Sequence, residues 1–279
     1  MPTDSASIRL VVNADGFGSS PEASRAALRA HREGIVTSTS VLGNCLDVAA
    51  VRAQLAEAPG LGVGVHLTLV GGAPVSSPGA VRSLVDPEGR FAASASEVYL
   101  TWAKGAVRAD DVEREFEAQV ARLRDAGLRI DHLDTQFHIG FLPVVGRAVE
   151  AVAHHHGIAG IRMAMEHPTL AWVVELPRGL MAAALGGLAW FTRRRLGTLR
   201  HGPQSWGFVE SGRLDEVRIL EILGRLSPGG HELICHPVEA RQPAPGEEPS
   251  RELRALCSPL VRQALAARGI ALCRWSDLF

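Results

Sequence analysis

Apolar and polar positions alternate in blocks along the chain, with short β-branched runs trading places with stretches of helical period. Residues 8–14 (IRLVVNA) read as a buried strand, followed by a turn and a helix around 22–33. Residues 35–42, rich in Val, Thr and Ser, predict a second strand, 47–58 a helix, and 62–69 (GVGVHLTL) a third strand. A Gly- and Pro-rich stretch over 70–90 precedes a long helix at about 109–126. Short strands at 130–133 and 161–163 enclose a helix over 144–156. Further on, a strand is expected at 232–235, a helix at 253–268 and a last strand at 270–274. Repeated strand–helix units predict a parallel sheet, open or closed as a barrel. No internal repeat, low-complexity linker or compositional shift divides the chain. One α/β domain over residues 1–279 is therefore expected, a TIM-like β/α barrel, complete or distorted.

Composition narrows the partners. The chain has 279 residues, 29 Lys+Arg against 30 Asp+Glu and a net charge of -1, which leaves no broad cationic footprint for nucleic acid. With 46% apolar and 21% charged residues it can bury a core. Cys45, Cys235, Cys257 and Cys273 show no C-x-x-C spacing and read as reduced, mostly buried thiols. The polar N-terminal tail runs straight into a strand with no basic segment and apolar leader, so a cytoplasmic protein is expected. The apolar region 170–191 is interrupted by Glu175, Pro177 and Arg178, and falls short of the roughly 20 residues a bilayer span needs. Residues 179–195 (GLMAAALGGLAWFTRRR) read in two ways: an interfacial helix with a basic end, or, more commonly, a helix capping a barrel or bordering a cleft. Membrane contact is the lesser of the two. His154, His155 and His156 precede Gly157 at a helix end, where adjacent side chains diverge and cannot converge on one ion.

Candidate chemistry clusters where strands end. Asn13, Asp15, His66, Asp134, His138 and His236 each lie at or just after the C-terminal end of an apolar run, the end at which α/β barrels build their sites. Asp15, ahead of a Gly-Phe-Gly turn, suits a general base or a hard metal ligand, or alternatively a helix cap. His66, flanked by Val65 and Leu67, suits a metal ligand or an interior histidine held by a neighbour. Residues 131–138 (DHLDTQFH) form the densest polar run. His236, just before a proline, is placed to donate a proton to a leaving group. Asp15, His66, His138 and His236 are expected to line one cavity, with Asn13, Asp134, Gln136 and Arg162 bordering the substrate or standing behind the ligands.

Four motifs make the pattern specific: NADGFG (13–18), GVHLTLVGGAPV (64–75), DHLDTQFHIGFLP (131–143) and ELICHP (232–237). In this order they resemble the YdjC-like carbohydrate deacetylases, which include chitooligosaccharide deacetylase and the hopanoid-biosynthesis-associated deacetylase. LVDPEGRF (84–91) and SWGFVESG (205–212) extend the likeness over nearly the whole chain. The resemblance implies a distorted β/α barrel, a divalent metal (Zn²⁺ or Mg²⁺), and removal of acetyl groups from N-acetylated sugars. It implies Asp15 as base, His236 as acid, and His66 and His138 as metal ligands. Three positions depart from the family pattern: Gly16 stands where it has a metal-binding aspartate, and Gln136 and Gly140 where it has histidines. Glycine offers a cation nothing and glutamine only a neutral oxygen, so low or no metal occupancy and weak deacetylase activity are expected, with Zn²⁺ favoured over Mg²⁺. The alternatives are a metal-depleted member that binds a sugar-bearing ligand, or one running another acid/base reaction with Asp15 and His236. A small sugar or glycoconjugate is the expected partner, with a homodimer left open.

Overall fold

The computed structural model describes residues 7–163, 176–194, 200–201, 203–239 and 250–278. Strand β1 (Ile8–Phe17) is its organising element. It carries β8 (Gly229–Cys235) along one edge; on the other, β2 (Ser38–Leu42) pairs its upper half and β9 (Ile270–Leu272) its first three residues. Outward from β2 follow β3 (Gly62–Leu67), β4 (His132–Thr135), β5 (Gly160–Ile161) and β6 (Arg200–His201), while β7 (Gln204–Trp206) flanks β8. All these pairings are parallel. Neighbours follow chain order from β6 back to β1, as strand–helix winding produces, and among the described residues no pairing joins β6 to β7. The protein is an α/β fold with a curled, half-barrel parallel sheet and helices against it.

The helices are α1 (Pro21–Glu33), α2 (Val48–Ala56), α3 (Ala95–Ala103), α4 (Ala109–Asp125), α5 (Pro143–His156), α6 (Leu176–Arg193), α7 (Glu216–Arg225), α8 (Arg251–Leu256) and α9 (Pro259–Ala267). Several starts are written in the sequence: Ser20, Asp47, Ser94 and Asp215 each accept a backbone N–H of the first turn. The helix expected over 253–268 is two helices. Pro259 lacks the N–H needed to continue α8, and Ser258 caps the new start by accepting from the Leu260 N–H. The strand expected from 35 begins only at Ser38, and the third strand stops at Leu67 rather than at 69. Helices α3 and α7 and strand β7 lie where no element was expected.

Strand alternation separates two cores. Leu10, Val12, Val41, Val65, Leu67, Leu133 and Leu233 belong to one hydrophobic cluster whose members run from Leu10 to Ile270. The alternate positions carry Asn13, Asp15, Ser38, Ser40, His66, His132, Asp134 and Glu232, all buried. Gly64 permits this polar layer, because a Cβ there would lie 2.3 Å from the His132 ring. All four cysteines are free thiols, Cys45 and Cys235 buried and the other two half-buried. Among the described residues no helix is long and apolar enough to cross a membrane. Residues 170–175 of the expected apolar region, and Arg195, lie outside the described residues.

Candidate active site

The site grows from the C-terminal ends of the parallel strands. A cavity of about 350 Å³ is lined by Asp15 and Gly16 from β1, His66 from β3, Gln136 and His138 beyond β4, Phe208, and His236 just after β8. Beside it, a cavity of about 620 Å³ shares Ser19 and Gln136 with the first.

Beneath the cavity lies a buried cluster centred on Arg162, which follows β5. Its two terminal nitrogens donate to Asp15 Oδ2 at 2.6 Å and Oδ1 at 2.8 Å. One also lies 2.8 Å from Asp134 Oδ2, and Nη2 and Nε donate to Glu232 Oε1 at 2.6 and 2.9 Å. Although burial alone would raise them, the guanidinium and His66 hold the Asp15 carboxyl well below the usual range and lower that of Asp134. Glu232 moves the other way, since its desolvation outweighs Arg162. Ser205 and the Trp275 indole also donate to Glu232, at 3.3 and 3.2 Å.

Asp134 orients His66 from behind, Nδ1 lying 2.6 Å from Oδ1, and the carboxylate pair raises the imidazole above its ordinary value against the pull of burial. The other Asp134 oxygen accepts the Ser40 hydroxyl at 2.5 Å. Asn13 donates to Asp15 Oδ1 and to Ser40 Oγ, both at 2.7 Å, and its own buried Oδ1 has no partner among the described residues. His138 sits in a strained turn: Phe137 and His138 have φ of 53° and 55°, a backbone that costs non-glycine residues of order 1–3 kcal/mol each. Tyr99 donates to both carbonyls at 3.4 and 3.3 Å, and the His138 ring stacks on Phe141 and meets Phe208 edge-on. Burial pushes the His138 imidazole down to about 3, leaving it neutral. His236 is more open, its side chain 37% exposed; Nδ1 lies 3.0 Å from the Ser211 hydroxyl and Nε2 3.9 Å from Asp15 Oδ2. Burial lowers the His236 imidazole below its ordinary value despite Asp15.

Asp15, His66 and Asp134 each bring one ligand atom to within 4.8 Å of the other two, a buried group able to hold a metal ion. Two carboxylates and an imidazole are a donor set that a divalent cation takes, although Asp15 and Asp134 now spend their oxygens on Arg162, Asn13, His66 and Ser40. By donor chemistry this group fits a divalent cation, which would compete with Arg162 for the Asp15 oxygens. His138 shares the cavity but is not in that group, and the Gln136 amide oxygen accepts the Thr68 hydroxyl. Gly16 has a φ of 83° at a β-bulge between Asp15 and Phe17, a backbone that favours glycine. Sequence reading passed over Ser40, His132 and Glu232. Their signal was the two-residue spacing, with Glu232 two positions ahead of Ile234 and four ahead of His236 on one strand face.

Fold and site together define a β/α half-barrel protein with a carboxylate–imidazole pair and a metal-capable group at its strand ends. The chain belongs to the YdjC-like protein family, whose model matches residues 9–267. A carbohydrate deacetylase of Mus musculus is 32% identical over 304 aligned positions, covering 97% of this chain and 95% of that protein. A carbohydrate deacetylase of Brevibacillus brevis is 37% identical over 147 residues; the match takes in 51% of this chain and spans 56% of that relative's length. Among solved structures, a candidate cellobiose-phosphate cleavage protein of Enterococcus faecalis shares the fold with a TM-score of 0.76. It is 23% identical, with 98% of this chain and 99% of that chain covered.

Proposed function

We propose that this chain is a hydrolase that removes the acetyl group from an N-acetylated sugar or glycoconjugate, with residues 1–279 acting as one catalytic domain. The observation that carries the reading is the meeting of Asp15 and His236 in one cavity, 3.9 Å apart, where Asp15 also belongs to a metal-capable group with His66 and Asp134. The relatives named carbohydrate deacetylases support the substrate class. The neighbouring cavity, joined through Ser19 and Gln136, suits a substrate longer than one sugar unit.

Asp15, His66 and Asp134 would hold the ion, with His138 beside them; a mixed nitrogen and oxygen set favours Zn²⁺ over Mg²⁺. When bound, such an ion polarises an acetyl carbonyl and lowers the pKa of a bound water. The chain's own groups supply the proton traffic. Arg162 keeps Asp15 ionised and fixed in direction, so Asp15 orients the attacking water and, being a weak acceptor, passes the proton on instead of keeping it. His236, neutral at rest, takes that proton on Nε2, 3.9 Å from Asp15 Oδ2, and delivers it as the imidazolium to the nitrogen of the amide. The C–N bond breaks, leaving acetate and a free amine. The exposed Phe137 ring and Phe208 offer apolar faces to a sugar ring.

The test is acetate release from N-acetylglucosamine oligomers by the purified chain, before and after chelation and after Zn²⁺ is returned. Release that is lost and restored supports the reading; none from the Zn²⁺-loaded protein overturns it. A second reading, a metal-poor member that binds sugar without hydrolysis, is favoured by Gly16 and by the hydrogen bonds already occupying both Asp15 oxygens. Its signature is sugar binding without stoichiometric metal.

A further inference from the structure

We propose that Trp275 is a positioning residue for the site. Wedged in from the opposite end of the sheet, its indole sets the direction of Asp15 through Glu232 and Arg162, and steadies Asp134 through His132 and Ser40. Only the kinetic arm of the test below rests on the deacetylase reading. The 3-10 turn that carries the indole (Trp275–Leu278) follows β9 and is fastened to the N-terminal part of β1. The Cys273 N–H donates to the Leu10 carbonyl at 3.0 Å, and Arg9 Nη1 donates to the Asp277 carbonyl at 2.9 Å. The ring enters the polar layer from there and is fully buried, as are His132 and Glu232.

Two contacts tie the ring to the site. Its N–H donates to Glu232 Oε1 at 3.2 Å, the oxygen that also takes the Arg162 Nη2 and Nε donors at 2.6 and 2.9 Å. Arg162 in turn holds both Asp15 oxygens, so an unbroken run of hydrogen bonds joins the indole to a carboxylate that lines the cavity. The face of the ring stacks on the His132 imidazole, centroids 4.7 Å apart and planes 10° from parallel. Asp131 Oδ1 holds the same imidazole on its edge, 2.6 Å from Nδ1. His132 Nε2 lies 3.3 Å from Ser40 Oγ, and that hydroxyl donates to Asp134, which orients His66. Both carboxylates of the metal-capable group therefore trace back to one side chain.

A space-filling role needs only apolar volume, which Phe supplies. The indole adds a donor to a carboxylate whose charge burial disfavours. Without that donor Glu232 leans harder on Arg162, and the guanidinium fork on Asp15 slackens. A tilt of the fork redirects the Asp15 oxygens relative to His236, 3.9 Å away, while the cavity walls stay as they are. Turnover should then suffer and substrate binding should not.

The test uses the full chain labelled with ¹⁵N on tryptophan. The indole N–H signal lost in Trp275→Phe belongs to Trp275, and the one lost in Trp190→Phe belongs to a ring exposed on α6. Asp15→Asn should shift the Trp275 signal and leave the Trp190 signal in place; Asp134→Asn gives a second reading through the His132 branch should the first variant not fold. A Trp275 signal that neither variant moves overturns the proposal. In kinetics on an N-acetylated oligomer, Trp275→Phe, which keeps the stack and removes the N–H, should lower kcat about tenfold with KM unchanged, at the low end of the about 10–100-fold lost with such supporting partners. Trp190→Phe should leave kcat unchanged. A folded Trp275→Phe with kcat within about twofold of wild type overturns the proposal, and so does a loss carried wholly by KM. Should Trp275→Phe not fold, the Trp275 signal is assigned by replacing the other tryptophans, and its response to Asp15→Asn decides. A wild type that releases no acetate counts against the deacetylase reading and leaves the indole response as the deciding readout.

Discussion

Arg162 grips Asp15 in a two-pronged pair, at 2.6 and 2.8 Å, with both side chains almost wholly buried. The same guanidinium serves Asp134 and Glu232, so one cation compensates three desolvated carboxylates. Such a centre adds little net stability over a well-packed apolar one, but removing its cation strands the anions. Arg162→Lys, which cannot reproduce the planar fork, is expected to lower the unfolding free energy by about 3 kcal/mol in urea denaturation. A loss under about 1 kcal/mol would mean that lysine or water satisfies the carboxylates as well as arginine does.

His236→Gln keeps a polar side chain near Ser211 and removes the group that carries the proton. Steady-state kinetics on an N-acetylated oligomer should show kcat at least about 100-fold lower with KM little changed. A rise in KM alone would make His236 a binding residue.

Gly16→Asp should raise metal content, measured by elemental analysis, because it restores a carboxylate beside Asp15. The left-handed backbone at Gly16 makes the change costly, at about 1 kcal/mol of stability. Gly16→Ala separates the two effects: the same loss of stability with no gain in metal. Stoichiometric metal in the wild type would show that Asp15, His66 and Asp134 suffice.

Glu252, at the start of α8, accepts the backbone N–H groups of His236 and Gly212, yet one of its oxygens is buried without a partner among the described residues. Burial raises its carboxyl from 4.5 to about 7. A raised carboxyl favours the protonated fold, so its contribution is complete below pH 4.5 and is lost as pH climbs through about 7. Stability should fall across that window by up to about 3 kcal/mol, and Glu252→Gln should flatten the profile. Asp15 and Asp134 act in another window: their carboxyls are depressed, so their contribution is lost only below the ordinary value of 3.8.

What could be read from the chain divides along physical lines. Asp15, His66 and His236 stood out because a polar residue ending an apolar run has few reasons to be there, and all three border the cavity. Ser40 and His132 did not stand out: their significance depends on which strands become neighbours, and sheet order is a long-range property. The β1 run was legible because its apolar residues are contiguous, whereas β5 and β6 are two residues each and carry no periodicity. Helix α3 had a readable start in Ser94 and Glu97, whose side chain reaches back to the Ala93 N–H, but it lies beside a Gly- and Pro-rich stretch that reads as loop. The break at Pro259 was also visible, and the apolar period on either side of it concealed the boundary.

The pairing of β1 has a consequence for how the protein is made. β1 leaves the ribosome long before all of its partners, since the strands that cover its edges include β8 and β9, more than 200 residues later. Until these arrive, the backbone of Ile8–Ala14 lacks its β8 ladder and the buried Asp15 lacks the Glu232 side of its charge cluster. Nascent chains would therefore hold a sticky strand edge over more than 200 residues of elongation, and folding would wait for β8 and β9. Chaperone dependence during translation, more than low final stability, is the cost this topology carries.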